Sequence, residues 1–234
     1  MSLGNRTVIV TGAAGNLGKA VAKAFADLGV NLVLVDLKRE SLEGAFGSEN
    51  DHRLFVPTNL LEMTGATGVA QAALARFGRI DVLCNIAGGF RMGETVHETS
   101  DENWDFLFDI NTRTLLHAVR AIVPRMVAAG GGKIVNVGAF AAQKGVAQMG
   151  AYTAAKGTVI RMTEAMAAEL RGKNINVNCV LPTIIDTPEN RAAMPKANPA
   201  MWVTPADLAN VIVFLASDAA RAVHGAAVPV TSLS

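Results

Sequence analysis

Thr7-Val8-Ile9-Val10 runs directly into Thr11-Gly12-Ala13-Ala14-Gly15-Asn16-Leu17-Gly18. The first four residues are β-branched and uncharged, which is the pattern of a buried strand. The next eight include three glycines, and residues 20–28 follow with a helical pattern. A strand, a glycine-rich turn and a helix start, in that order, make a cradle for a pyrophosphate. Glycines let the backbone approach the anion, and the free N–H groups of a helix N-terminus carry the positive end of its dipole. Gly12, Gly15, Asn16, Leu17 and Gly18 are therefore candidate cofactor-binding residues.

The next strand, 31–35, ends on Asp36. A dinucleotide fold needs a carboxylate there to hold the adenosine ribose hydroxyls, and that charge repels the extra phosphate of NADP. NAD(H) is the expected cofactor, ahead of NADP(H). Asp36 also reads as the N-cap of a helix from Lys38 onward, and the two roles are compatible. A helix-poor stretch follows, then a strand at 53–56, a helix at 62–77 and a strand at 81–84 ending in Asn85-Ile86-Ala87-Gly88-Gly89. A long apolar helix is expected over 101–129, with Asn111 in its middle. A fifth strand at 133–137, a helix to about residue 170, a sixth strand at 174–181 broken by Pro182, a helix at 205–216 and a last strand at 226–230 complete the pattern. Residues 188–202 are too rich in Pro and Asn for regular structure and read as a lid, 187–203, over the strand ends. Strands alternating with helices specify one α/β domain spanning 1–234, a Rossmann-type, doubly wound parallel sheet of about seven strands with helices on both faces.

Composition limits the function classes. The chain has 234 residues, enough for a sizeable core, and Lys+Arg 21 balance Asp+Glu 20. That balance gives no electrostatic case for nucleic acid or an anionic membrane, and 5% aromatic content offers few stacking platforms. Cys84 and Cys179 lie in apolar runs and read as core thiols of a reduced, cytoplasmic protein. No apolar stretch reaches membrane-spanning length, and no signal peptide precedes the first strand. The four histidines have no ligand spacing, so no metal site is expected. A small-molecule substrate is the expected partner.

Tyr152-Thr153-Ala154-Ala155-Lys156 holds the chain's only tyrosine. Residues four apart share one helix face, so a phenol and an ammonium stand side by side. A free tyrosine titrates near pH ~10, and a neighbouring cation favours the phenolate. The pair reads as a proton donor or acceptor tuned towards neutrality.

Thr11-Gly12 to Gly18, Asn85-Ile86-Ala87-Gly88, Asn111 and Tyr152-x-x-x-Lys156, in that order, resemble the short-chain dehydrogenase/reductase family over the whole chain. The resemblance implies that Tyr152 is the proton donor, that Lys156 binds the nicotinamide ribose and depresses the tyrosine pKa, and that Asn111 holds a water relaying protons towards Lys156. It also implies that Asp36, Leu37, Asn59, Leu60, Asn85, Ala87, Gly88, Pro182, Thr183, Ile185 and Thr187 contact the dinucleotide. The apolar helices around Leu115 and Val159 would pair with symmetry mates, giving a homodimer or homotetramer.

Four departures stand out. Asn16 replaces the middle glycine of the fingerprint, which suits a residue tolerant of positive φ. Asn59 stands where an aspartate usually meets the adenine, and Thr183 follows Pro182 where glycine is usual. Ala139 lies where the catalytic serine belongs. Losing a donor of that kind costs about 10²–10³ in rate. The quinonoid dihydropteridine reductase branch does without this serine, and residues 181–191 with Met194-Pro195 and Trp202 resemble it. The first reading is therefore NADH-dependent reduction of an activated ring. The second is an alcohol or ketone dehydrogenase in which Gln143 replaces the serine. The third is a non-catalytic dinucleotide sensor or scaffold. Ala139, Gln143 and Trp202 are the expected substrate-pocket residues.

Overall fold

Apolar strands with both faces covered set the architecture. In the computed structural model, which describes residues 3–232, a seven-stranded sheet runs in the order β3-β2-β1-β4-β5-β6-β7. The strands are β1 (Thr7–Thr11), β2 (Asn31–Asp36), β3 (Arg53–Pro57), β4 (Val82–Asn85), β5 (Gly132–Val137), β6 (Ile175–Pro182) and β7 (Ala227–Val230). Every adjacent pair is parallel. The order reverses between β1 and β4, so a crevice opens at the C-terminal ends of those two strands, where ligands bind open α/β sheets.

Helices cover both faces: α1 (Asn16–Ala26), α2 (Arg39–Phe46), α3 (Met63–Phe77), α4 (Asp101–Phe108), α5 (Thr114–Ala128), α6 (Gly150–Leu170), α7 (Pro188–Ala193) and α8 (Pro205–Ala216). One core layer joins Ile9, Val33, Leu83 and Ile134 to α3, α5 and α6. The other joins Val8, Val10, Leu34 and Val135 to α1 and α8. Alternation along each strand sends neighbouring residues to opposite layers. Cys84 and Cys179 are free and buried, and burial pushes both thiols well above their usual pKa. Among the described residues, no helix is long and apolar enough to cross a membrane.

Four local expectations need correction. The stretch after Asp36 is not helix-poor: the helix expected from Lys38 onward forms as α2, with Leu42 as its one buried residue, but its N-cap is Lys38 and not Asp36. The helix expected over 101–129 is not continuous. A π-helical segment, Asp109–Arg113, separates α4 from α5. The lid stretch holds regular structure after all: Thr187 caps α7 by accepting from the Asn190 N–H, and Pro188 opens the helix, where its missing N–H costs nothing. A short 3₁₀ turn, Pro199–Met201, follows. Pro182 does not break β6 either. It ends the strand, paired in register with Val230.

Candidate active site

The crevice is built from the glycine turn outward. Gly12 has φ +61, and a Cβ there would sit 2.8 Å from the Ala87 Cα, so only glycine lets the turn after β1 approach the loop after β4. A Cβ on Gly18 would overlap the Gly12 carbonyl oxygen, which packs α1 tightly against the turn. Thr11 ties the two strand ends together, its hydroxyl accepting from the Ile86 and Ala87 N–H groups at 3.0 and 3.1 Å. Among the described residues no side chain caps the start of α1, so its first N–H groups are left for another acceptor. Asn16 is the first residue of α1 and is absent from the positive-φ residues, contrary to the sequence expectation. Its amide instead donates to Glu189 on α7 at 2.7 Å.

A cavity of about 500 Å³ extends from this turn along the sheet edge. It is lined by Gly12, Gly15, Asn16, Leu17 and Gly18, by Asp36 and Leu37, by Asn59 and Leu60, and by Ala87 and Gly88. Its size is that of a small-molecule site. The Asp36 carboxylate is fixed by the Ala14 N–H at 2.9 Å and the Leu37 N–H at 2.8 Å. Asn59 is partly engaged locally, accepting from the Leu61 N–H. Asn85 lies behind the cavity wall, its amide donating to Asn136, which donates in turn to Thr163. Sequence reading missed Ser41, Thr58 and Thr114 as lining residues. Thr58, next to Asn59 at the end of β3, was the one with a positional signal. An uncapped helix N-terminus, a glycine cradle that a Cβ would fill and a carboxylate at the far end fit a dinucleotide.

Beyond Gly88 lies the second half of the site. Asn111 is 2% exposed, in the π segment. Its carbonyl oxygen accepts from the Gly89 N–H, and its amide donates to the Gly89 and Leu107 carbonyls. Lys156 is 5% exposed, donates to the Val137 carbonyl at 2.8 Å and has no carboxylate partner among the described residues. A Cβ on Gly88 would lie 2.9 Å from the Asn111 Oδ1 and 3.2 Å from the Lys156 Nζ. Glycine is therefore what lets the amide and the ammonium converge. Tyr152, one turn before Lys156 on α6, is half-buried with its ring edge-to-face against Phe90.

The electrostatics differ from the expected tuning. Burial pushes the Tyr152 phenol up to about 12 and the Lys156 ammonium down to about 8. Burial disfavours the charged form of each group, so the phenol keeps its proton at neutral pH. Such a group is present in its protonated form, although it holds the proton more tightly than a free phenol does.

Ala139 is 5% exposed, just beyond β5, and a methyl group cannot donate a hydrogen bond. Gln143 does not stand in for the serine: its amide donates to the Phe140 carbonyl, and it lines a separate recess with Arg161 and Glu164. Pro182 and Thr183 close the end of β6, with the Thr183 N–H donating to Val230. Ile185 bridges to Val203, which fixes buried Trp202 at the far end of the loop that begins at Thr187.

The sequence profile of the short chain dehydrogenases matches residues 6–198. The chain belongs to the short-chain dehydrogenase family. It is 34% identical to a D-threitol dehydrogenase of Mycolicibacterium smegmatis over 96% of this chain and 90% of that one. It is 32% identical to the 3-oxoacyl-[acyl-carrier-protein] reductase of Thermotoga maritima, over 96% of each. Among solved structures, a 3-ketoacyl-(acyl-carrier-protein) reductase from Brucella melitensis complexed with NADH superposes with a TM-score of 0.87 at 28% identity, covering 98% of both chains. The protein is thus an oxidoreductase of the short-chain dehydrogenase/reductase type. The finer likeness to dihydropteridine reductase rests on the residues quoted above and finds no support in these relatives.

Proposed function

We propose that the protein is an NAD(H)-dependent reductase of an electron-poor acceptor, an activated ring of the quinonoid dihydropterin kind, with Tyr152 as proton donor. The observation that carries this reading is Ala139: a methyl group stands where the family places the hydroxyl that polarises a carbonyl. An acceptor that is already electron-poor needs no such help.

The N-terminus of α1, with Gly12 to Gly18, would hold the pyrophosphate, and Asp36 the adenosine ribose. Asn59, Leu60, Ala87, Gly88 and the stretch from Thr183 to Thr187 would flank the rest. NADH, when bound, supplies the hydride. Lys156 has N–H donors left for the nicotinamide ribose hydroxyls, and its charge favours the phenolate left behind on Tyr152. Tyr152 Oη gives its proton to the acceptor heteroatom. Asn111, beside Lys156, would keep a water in line to return that proton. The loop with α7 would close over the acceptor, and two free thiols suit the reducing cytoplasm.

A second reading, dehydrogenation of an alcohol, is favoured by the substrates that the similar proteins' names give. An NADH-oxidation screen containing chemically generated quinonoid dihydropterin and simple ketones separates the two. Tyr152→Phe removes one hydroxyl and keeps the ring. It should cut turnover ~10²–10⁴-fold while leaving NADH affinity unchanged. Full activity in that variant would rule out the proposed proton path.

A further inference from the structure

The side chain that covers Tyr152 is Phe90. The ring centroids are 4.8 Å apart and the planes perpendicular, the preferred edge-to-face arrangement. Half of Phe90 nevertheless remains open: the residue is 51% exposed. A large apolar ring left in solvent beside a catalytic phenol calls for a reason, because nothing in the core requires it there.

The backbone beneath that ring is held in place. Gly89 is gripped at both its N–H and its carbonyl by the Asn111 amide, at 3.1 and 3.0 Å. A Cβ on Gly89 would meet Phe106 at 3.1 Å and Ile110 at 3.2 Å, so the chain lies flat against α4 and the π segment. Further along, the Arg91 guanidinium sits 3.9 Å over the Phe106 ring, and the Gly93 N–H donates to the Gln148 carbonyl just before α6. The loop is therefore anchored before and after Phe90, and the ring's position beside Tyr152 is set by the fold. On the other flank, Phe140, 41% exposed, follows Ala139 directly.

We propose that Phe90 is a specificity-determining residue. Its open face beside Tyr152 is the platform for a flat apolar portion of the substrate, so the site favours an aromatic or alicyclic acceptor over a short polyhydroxylated one. The inference rests on the oxidoreductase reading above and narrows its substrate class. A ring laid on Phe90 buries apolar surface on both partners. A polyol in the same place has to bring hydroxyls out of water against a ring that cannot hydrogen-bond them. Burial beneath Phe90 also agrees with the raised pKa of Tyr152.

The test compares the natural protein with Phe90→Ala and Phe90→Leu. With NADH, kcat and KM are measured for 2-tetralone, quinonoid dihydropterin and dihydroxyacetone, and calorimetry measures 2-tetralone binding in the presence of NAD⁺, which cannot reduce it. Phe90→Ala should raise KM for the two ring substrates about tenfold, with KM for dihydroxyacetone unaffected and any change in kcat, which follows Tyr152, shared by all three. Phe90→Leu should fall between. The calorimetric affinity for 2-tetralone should weaken in parallel. Because Tyr152 is the only tyrosine, its ionisation can be followed alone by tyrosinate absorbance. Uncovering it with Phe90→Ala should move that titration down. Equal changes in KM for all three substrates, 2-tetralone binding unchanged by Phe90→Ala, or an unmoved tyrosine titration would each overturn the proposal. Absence of NADH oxidation with every acceptor contradicts the oxidoreductase reading instead, and the binding and titration measurements still decide the role of Phe90.

Discussion

Gly88 has no side chain, yet the proposed proton path is packed around it, since a methyl group there would press on both the Asn111 amide and the Lys156 ammonium. The sequence showed Asn111, Tyr152 and Lys156 as candidates but not this convergence, which depends on distances between β4, α6 and the π segment. It also gave the wrong sign for the tuning. A cation one turn away argues for a lowered phenol pKa, whereas burial dominates and raises it. That sign has a consequence for pH. The neutral phenol needed for reduction is present throughout the neutral range, and the Lys156 charge is present below about pH 8 and lost above it. Reduction should therefore run level through neutral pH and decline as pH rises past about 8. Oxidation of the corresponding alcohol, which needs the phenolate, should gain little over the same interval, because the phenol is held at about 12 and the Lys156 charge that favours its ionised form is being lost. Initial rates in both directions across a pH series check this, and a reductive rate that rises through pH 8 would contradict it.

Elements carry the cofactor preference. β1 and β2 were legible because β-branched runs ending in glycine or aspartate have no competing reading, and the pairing of Thr11 with Val35 brings both ends to one crevice. Asp36 ends β2 inside the cavity, its carboxylate held by two backbone N–H groups. NADH should bind more tightly than NADPH, and Asp36→Ala should narrow the difference. Fluorescence titration with both dinucleotides tests this, tighter NADPH binding to the natural protein being the contrary result. Other elements were not legible for physical reasons. α2 was expected only as a helix starting near Lys38, and with a single buried leucine its extent was not marked in the sequence. The π segment differs from α-helix only in backbone hydrogen bonding, which no side-chain pattern reports. α7 depends on the Thr187 cap and Pro188 in a stretch whose composition otherwise argues for loop.

For the whole molecule, the seven-stranded parallel sheet followed from strict strand–helix alternation and came out as expected. The helices expected to pair between subunits need a closer look. Val159, Ile160, Met166, Ala167 and Leu170 of α6, and Leu115, Val119 and Ile122 of α5, are consumed by the chain's own core. What they leave outside includes Leu116 at 38% exposure, Val127, and small residues such as Ala154, Ala165 and Ala168, interspersed with Arg120, Arg125, Arg161 and Glu169. The small residues let helix backbones approach closely, and the charges of opposite sign can pair across such a contact. We therefore expect α5 and α6 to meet their symmetry mates, giving a homodimer or homotetramer. Light scattering at micromolar concentration should return a multiple of the 24.4 kDa chain mass, and a monomeric mass would contradict the expectation.

We propose that Tyr152 works without a hydroxyl at position 139, on an acceptor that does not need one. The test is the NADH-oxidation rate of the natural protein and of Ala139→Ser, each with a simple ketone and with quinonoid dihydropterin. Slow ketone turnover is expected of the natural protein, with a gain of up to ~10²–10³ from the serine, while pterin turnover changes little. Brisk ketone reduction by the natural protein, with no pterin activity and no gain from the serine, would contradict it.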